Sequence, residues 1–140
     1  MNGQLLEIAI HESGHAVISR VVGLVSGYAT ISDGNPRSYC RDDWGIRTVL
    51  TALAGRAAAL ELMGFASDEG CSADDRKALA LIEADGFRER FFAFDVRRES
   101  LLADARALIR KHRSAVERVA LALLERETLS GAEIDKLMTA

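Results

Sequence analysis

His11, Glu12 and His15 stand in the order H-E-x-x-H, and two of the chain's three histidines fall in this motif. In a helix, positions i and i+4 share a face, so both imidazoles can address one ion. Glu12 sits next to the first of them and beside the open coordination position. A carboxylate there can take a proton from a water activated by the ion, which also polarises a scissile carbonyl. The chemistry served by this combination is metal-assisted hydrolysis. A zinc ion held by two histidines needs a third protein ligand, leaving one position for water or substrate. The extended motif with a third histidine requires Gly at 18 and His at 21, where this chain has Ile18 and Val21. The remaining histidine, His112, falls in a charged tail segment. A carboxylate is therefore expected as third ligand, with Glu61, Asp68, Glu69, Asp74 and Asp75 as candidates and Cys71 as a thiolate alternative.

The motif must ride on a helix, and the spacing of Leu5, Ile8, Ala9, Ala16 and Val17 predicts one over residues 4 to 22, with Gly23 as its stop. Gly14 is a poor helix former, by about 1 kcal/mol against Ala, and its value there is to let another element approach closely. Residues 24 to 32 show partial period-2 alternation and read as a short strand or hairpin arm. Asp33-Gly34 and Asn35-Pro36 give turn signals, and residues 35 to 45 read as a loop with Tyr39 and Trp44 near its ends. A second long helix is expected over 46 to 63, with Gly55 inside it and Gly64 as its stop. Residues 65 to 71 read as a loop. Ser72 and Asp75 form an imperfect capping box, opening a third helix from about 73 to 85 and reaching toward 92 past Gly86. Residues 100 to 112 and 114 to 127 are helical in spacing, as one helix or as two joined near Arg113. Ser130 and Glu133 make a good capping box for a short final helix carrying Ile134, Leu137 and Met138. The expected architecture is one mainly α domain over 1–140, with a small strand or hairpin beside the HExxH helix. Its metal-binding part spans 1–92 and its C-terminal helical part 97–140.

Composition narrows the function. With 140 residues, 49% of them hydrophobic, the chain can bury a real core but cannot hold a nucleotide-driven motor beside another catalytic domain. The 21 acidic and 18 basic residues leave a net charge of -3, so no basic excess points to nucleic acid or an anionic membrane surface. The local run Arg97, Arg98, Arg106, Arg110, Lys111 and Arg113 is interrupted by Glu99, Asp104 and Glu117 and reads as a solvated helix face. Cys40 and Cys71 form neither a disulfide framework nor a paired CxxC site, which suits a cytoplasmic protein. The first residues lack a basic n-region, and their apolar run breaks at Glu7 and His11, so no signal peptide or membrane segment is expected.

Taken together, the motifs resemble the peptidase domain of the FtsH family of ATP-dependent zinc proteases. HESGHAVIS at 11 to 19 is similar to the family's HEAGHA helix, and Val25 to Ser32 occupies the place of its short strand. LAGRAAALELMG at 53 to 64 resembles LGGRAAEE, GCSADD at 70 to 75 resembles GASNDL, and LLERETLSGAEI at 123 to 134 resembles the family's ETL-containing helix pair. The resemblance implies a helical zincin-like peptidase fold, His11 and His15 as Zn2+ ligands, Glu12 as catalytic base and Asp74 as third ligand. A position in the first turn of a helix would favour Asp74 in its ionised form. It further implies an endopeptidase acting on unfolded or flexible polypeptides, with a peptide pairing as an added strand along roughly Gly27 to Ile31. Self-association, or a separate ATPase partner, follows from the family's ring assemblies. Gly55 and Arg56 match the family and read as structural, through close helix approach and an ion pair. The chain departs from the family where Ala59 and Leu60 replace an acidic pair, where Ala73 replaces Asn, and over 76 to 99. These departures favour an alternative, a non-catalytic binding or regulatory module that acts with a protease complex.

Overall fold

A computed structural model describes residues 3–24, 26–32, 35–40, 45–84 and 91–140, with the side chains of 26, 69, 70, 72, 81–84 and 91–97 left aside. The expected turn at Asp33-Gly34, the aromatic Trp44 and the helix passage through Gly86 lie outside the described residues. Helix α1 spans Gly3–Val21, followed by strands β1 (Ser26–Thr30) and β2 (Arg37–Cys40). Helices α2 (Ile46–Met63), α3 (Asp68–Ala84), α4 (Phe91–Lys111) and α5 (Arg113–Arg126) come next, then β3 (Thr128–Leu129) and α6 (Gly131–Met138). The fold is mainly helical with a small antiparallel sheet of order β2-β1-β3, as the residue spacing leads one to expect.

Helices α1, α2 and α5 each stop at a residue with positive φ. Gly23 closes α1 at φ 84°, and Gly64 closes α2 at φ 83° with its N–H donating to the Leu60 carbonyl at 3.0 Å. A glycine meets no Cβ penalty there. At the end of α5 the same role falls to Glu127, at φ 67°. Its N–H donates to the Leu123 carbonyl at 2.8 Å, while its own carbonyl accepts from Ile31 N–H at 2.8 Å. Those bonds offset the roughly 1 kcal/mol that a non-glycine residue loses in this conformation, and they deliver β3 onto β1. Ala29 then pairs with Leu129 and Thr30 with Thr128.

One core runs through the whole chain. Val17 and Ile18 of α1, Leu53 of α2, Leu101 and Ile109 of α4, and Val116 and Leu123 of α5 are all buried within it. Helix α1 lies between α2 and α5, so the HExxH helix is held on two sides. The α1–α2 crossing is close because it is made of small residues. A Cβ on Gly14 would strike the Ala54 carbonyl oxygen and the Ala58 Cβ. Arg20 ties the end of α1 to the sheet side, donating to Gly27 O at 3.1 Å, Gly131 O at 3.2 Å and Asp135 Oδ1 at 2.6 Å.

Three expectations change, and one open alternative is resolved. Residues 37 to 40, expected in a loop, form β2, which pairs with β1 through Ser26–Cys40, Ala29–Ser38 and Thr30–Arg37. Helix α3 begins at Asp68 and not near 73, so position 72 is inside the helix and cannot cap it. Asp74 accordingly lies beyond the first turn, and its charge has another cause. The segment Gly27 to Ile31, expected to receive a peptide strand, belongs mostly to the central strand of the sheet, flanked by β2 and β3. The C-terminal helices are two, α4 and α5, meeting at His112, whose carbonyl accepts from Val116 N–H at 3.1 Å. Ser130 and Glu133 complete the expected capping box of α6, with bonds of 3.2 and 3.1 Å. No helix among the described residues is long and apolar enough to cross a membrane.

Candidate metal centre

Helix periodicity puts His11 and His15 on one face of α1, and their rings meet edge-to-face with centroids 4.6 Å apart. Asp74 reaches the same point from α3. Its Oδ2 lies 2.8 Å from His11 Nε2 and 3.0 Å from His15 Nε2, and the two Nε2 atoms are 3.0 Å apart. These three atoms form a nearly equilateral triangle of lone-pair donors. A single proton can bridge only one edge of such a triangle, whereas one cation can bond all three corners. Tetrahedral zinc with bonds of about 2.0–2.1 Å sets its ligands about 3.3 Å apart. The triangle fits that ion after opening by a few tenths of an ångström, and two imidazoles with one carboxylate are the donor types a catalytic zinc takes.

The surroundings orient these atoms. His15 Nδ1–H donates to the Thr51 carbonyl at 2.7 Å, which leaves the Nε2 lone pair for the centre. Burial alone would lower the His15 pKa, but the Asp74 and Glu12 carboxylates outweigh it and raise it to about 9, so an ion at the centre would have to take the place of the Nε2 proton. Burial likewise works to raise the Asp74 pKa, and the two histidines overcome it, holding the carboxyl well below the usual carboxylate range. The histidines, and not the helix terminus, therefore keep Asp74 ionised. On α2, Gly55 supplies space. A Cβ there would come within 2.5 to 2.7 Å of three His11 ring atoms.

Glu12 is 4% exposed. Its Oε1 lies 4.0 Å from His11 Nε2, and its Oε2 is buried with no hydrogen-bond partner among the described residues. Burial raises its pKa, with His15 and His11 opposing. Glu12 thus places a buried carboxylate with a spare oxygen beside the converging ligand atoms. The cleft above it encloses about 170 Å³ and is bordered by Glu12, His15, Asp74, Thr51 and the strand residues Ser38 and Tyr39. Ser38 Oγ–H donates to the Glu12 backbone carbonyl at 3.3 Å, joining β2 to the motif helix.

The other candidate ligands are placed elsewhere. Glu61 accepts from Arg106 Nε at 2.7 Å and Arg110 Nη1 at 2.6 Å on α4. Asp68 has a fully exposed carboxylate 3.7 Å from Arg56. Asp75, expected in a capping box with Ser72, lies instead between Arg56, at 2.8 Å, and Arg98, at 3.1 Å. The Glu69 side chain lies outside the described ones, and His112 stands at the junction of α4 and α5. Cys71 Sγ is 4.0 Å from His11 Nδ1, the ring nitrogen opposite the one that meets Asp74. Burial pushes its thiol up to about 11, so it is a neutral neighbour of the ring and not a thiolate ligand. Sequence reasoning missed the roles of Gly55, Thr51 and Ser38. Only Gly55 left a signal, as a costly glycine inside a strongly apolar helix. No protein-family model matches the chain, and no curated protein matches it.

Proposed function

We propose that the protein is a zinc-dependent endopeptidase acting on unfolded or flexible polypeptides. The observation that carries this reading is the convergence of His11 Nε2, His15 Nε2 and Asp74 Oδ2 within 3.0 Å of one another, beside the buried Glu12 carboxylate. His11, His15 and Asp74 would hold the ion. When bound, zinc supplies Lewis-acid chemistry, acidifying water and polarising a carbonyl. Glu12 accepts the proton from the attacking water and returns it to the departing amine. Burial raises its pKa above the ordinary carboxylate value, which strengthens it as a proton acceptor. Thr51 holds the His15 ring through its carbonyl, and Gly55 leaves room for that of His11.

The substrate reading rests on β2. Among the described residues it is paired on one side only, by β1, and it borders the cleft. An extended peptide can add to such an edge through main-chain hydrogen bonds along Arg37–Tyr39. Flexible polypeptides can extend along this edge with their main-chain donors and acceptors unpaired, which is why they are the substrate class proposed. A cytoplasmic setting, and a self-associated or ATPase-assisted form, belong to the same proposal through the family resemblance.

The test compares the parent and Glu12→Gln on casein, with zinc and with a chelator. The substitution keeps the shape and removes the base, so turnover is expected to fall about 100- to 10,000-fold. Chelation is expected to abolish turnover in the parent. Equal cleavage by both proteins would sink the mechanism. A zinc-loaded parent that binds casein without cutting it would instead establish the non-catalytic alternative.

A further inference from the structure

Asp75 is next in sequence to Asp74 and takes no part in the ligand triangle. Its Oδ2 accepts from Arg56 Nη2 of α2 at 2.8 Å, and its Oδ1 accepts from Arg98 Nη2 of α4 at 3.1 Å. Both guanidiniums are largely buried, with side chains 15% and 24% exposed. Arg56 directly follows Gly55, which bounds the His11 ring. The pair thus joins the neighbour of one ligand's spacer to the neighbour of another ligand. It fixes the distance between α2 and α3 at the level of the triangle. Arg98 extends the same lock to α4, in the C-terminal part of the chain.

Resting on the zinc reading above, we infer that Asp75 is a positioning residue, and that Arg56 and Arg98 set the metal affinity of the site through it. The physical reason is leverage. Asp74 and Asp75 share one peptide unit, so a shift of the α3 backbone that relaxes one carboxylate displaces the other. The ligand triangle is tight, and its third corner comes from α3. Two charge-assisted bonds on opposite oxygens of Asp75 oppose both translation and rotation of that turn. Partners in this outer position typically change metal affinity about 10- to 100-fold when removed.

The test measures zinc dissociation constants by chelator competition for the parent, Asp75→Asn, Arg98→Gln and the double variant. Thermal midpoints with and without zinc are read in parallel. Asp75→Asn is expected to bind zinc about 10- to 100-fold more weakly. Its zinc-induced rise in midpoint should shrink to match, because that rise reports the affinity. Arg98→Gln should give a smaller loss, and the double variant should be no worse than Asp75→Asn, since both act through one carboxylate. If Asp75→Asn melts lower with an unchanged zinc constant, the pair is merely structural and the inference falls while the metal reading stands. If Asp75→Asn fails to fold, Arg98→Gln decides alone: unchanged affinity overturns the inference. A parent that binds no zinc overturns the metal reading, and this inference with it.

Discussion

Where α1 meets α2, the contact is built from the smallest side chains. Gly14 lies against the Ala54 carbonyl and Ala58, and Gly55 lies against the His11 ring. The same region buries Glu12, Ser13, Thr48 and Thr51. In α5 and α6 the buried positions are aliphatic: Val116, Val119, Leu123 and Ile134, all fully enclosed. The aliphatic region gains transfer free energy, on the order of 1.5–3 kcal/mol for each large side chain. The small-residue region gives up that gain. In exchange, two backbones come close enough for a carbonyl of α2 to orient a ring on α1. Stability and position are thus assigned to different parts of one core, and substitutions should separate them.

Leu123→Ala carries the largest expected effect. Truncating a fully buried leucine should lower unfolding free energy by about 2–5 kcal/mol, read from urea titration. Zinc affinity of the protein that remains folded should stay within about twofold of the parent, since α5 supplies no ligand. A parallel tenfold loss of zinc affinity would break the division between the two regions.

Gly55→Ala reverses the pattern. An added methyl gains about 1 kcal/mol of helix propensity, while overpacking costs about 1–3 kcal/mol. The net change in unfolding free energy should therefore stay below about 2 kcal/mol. The His11 ring, however, must leave the space the methyl takes. Its Nε2 then leaves the triangle, and zinc affinity should fall by about tenfold or more. Undiminished zinc binding by Gly55→Ala would show that the ring has another place to go, and the role given to this glycine would be lost.

The same division explains what could be read from the sequence. Local signals sufficed for α2, whose apolar spacing and terminal Gly64 fix 46 to 63, and for α6, whose Ser130–Glu133 box closes within four residues. The ligand types were readable because HExxH depends only on helix periodicity. Three features were not readable from spacing, and each depends on a distant partner. Arg37–Cys40 has little apolar alternation and becomes a strand by pairing with β1. The start of α3 resembles a loop because Gly70 and Ser72 are helix-unfavourable. Its second turn is held from outside, by Arg56 and Arg98 on Asp75 and by the histidines on Asp74. Tertiary contact overrode propensity there. Gly55 looks like a packing glycine until the helix that crosses it is known to bring His11. The choice of Asp74 over Asp75 likewise came from resemblance, since the two neighbours differ only in which way the helix turns them.

The smallest effect belongs to the seam at the outer edge of the small-residue region, where Glu61 of α2 meets Arg106 and Arg110 of α4. Burial works to raise the Glu61 pKa, but the two guanidiniums outweigh it and hold it below its ordinary value. A carboxylate with a depressed folded pKa stabilises the fold above its unfolded pKa, and that contribution disappears as pH falls through the folded value. Both arginines are substantially exposed, with side chains 40% and 57% accessible, so solvent screening keeps the contribution below about 1 kcal/mol. Urea titration of Glu61→Gln should therefore show a small loss at pH 7, constant down to about pH 4.5. The gap from the parent should close below that pH, as Glu61 is protonated in both states. Added salt should narrow it at pH 7. Zinc affinity at pH 7 should not move, because this seam joins α2 to α4 without touching the turn that carries Asp74. The Asp75 pair, which also reaches α4, should behave in the opposite way. A loss of zinc affinity in Glu61→Gln would mean that any loosening of α4 disturbs the centre, and that Arg98 has no special part in it.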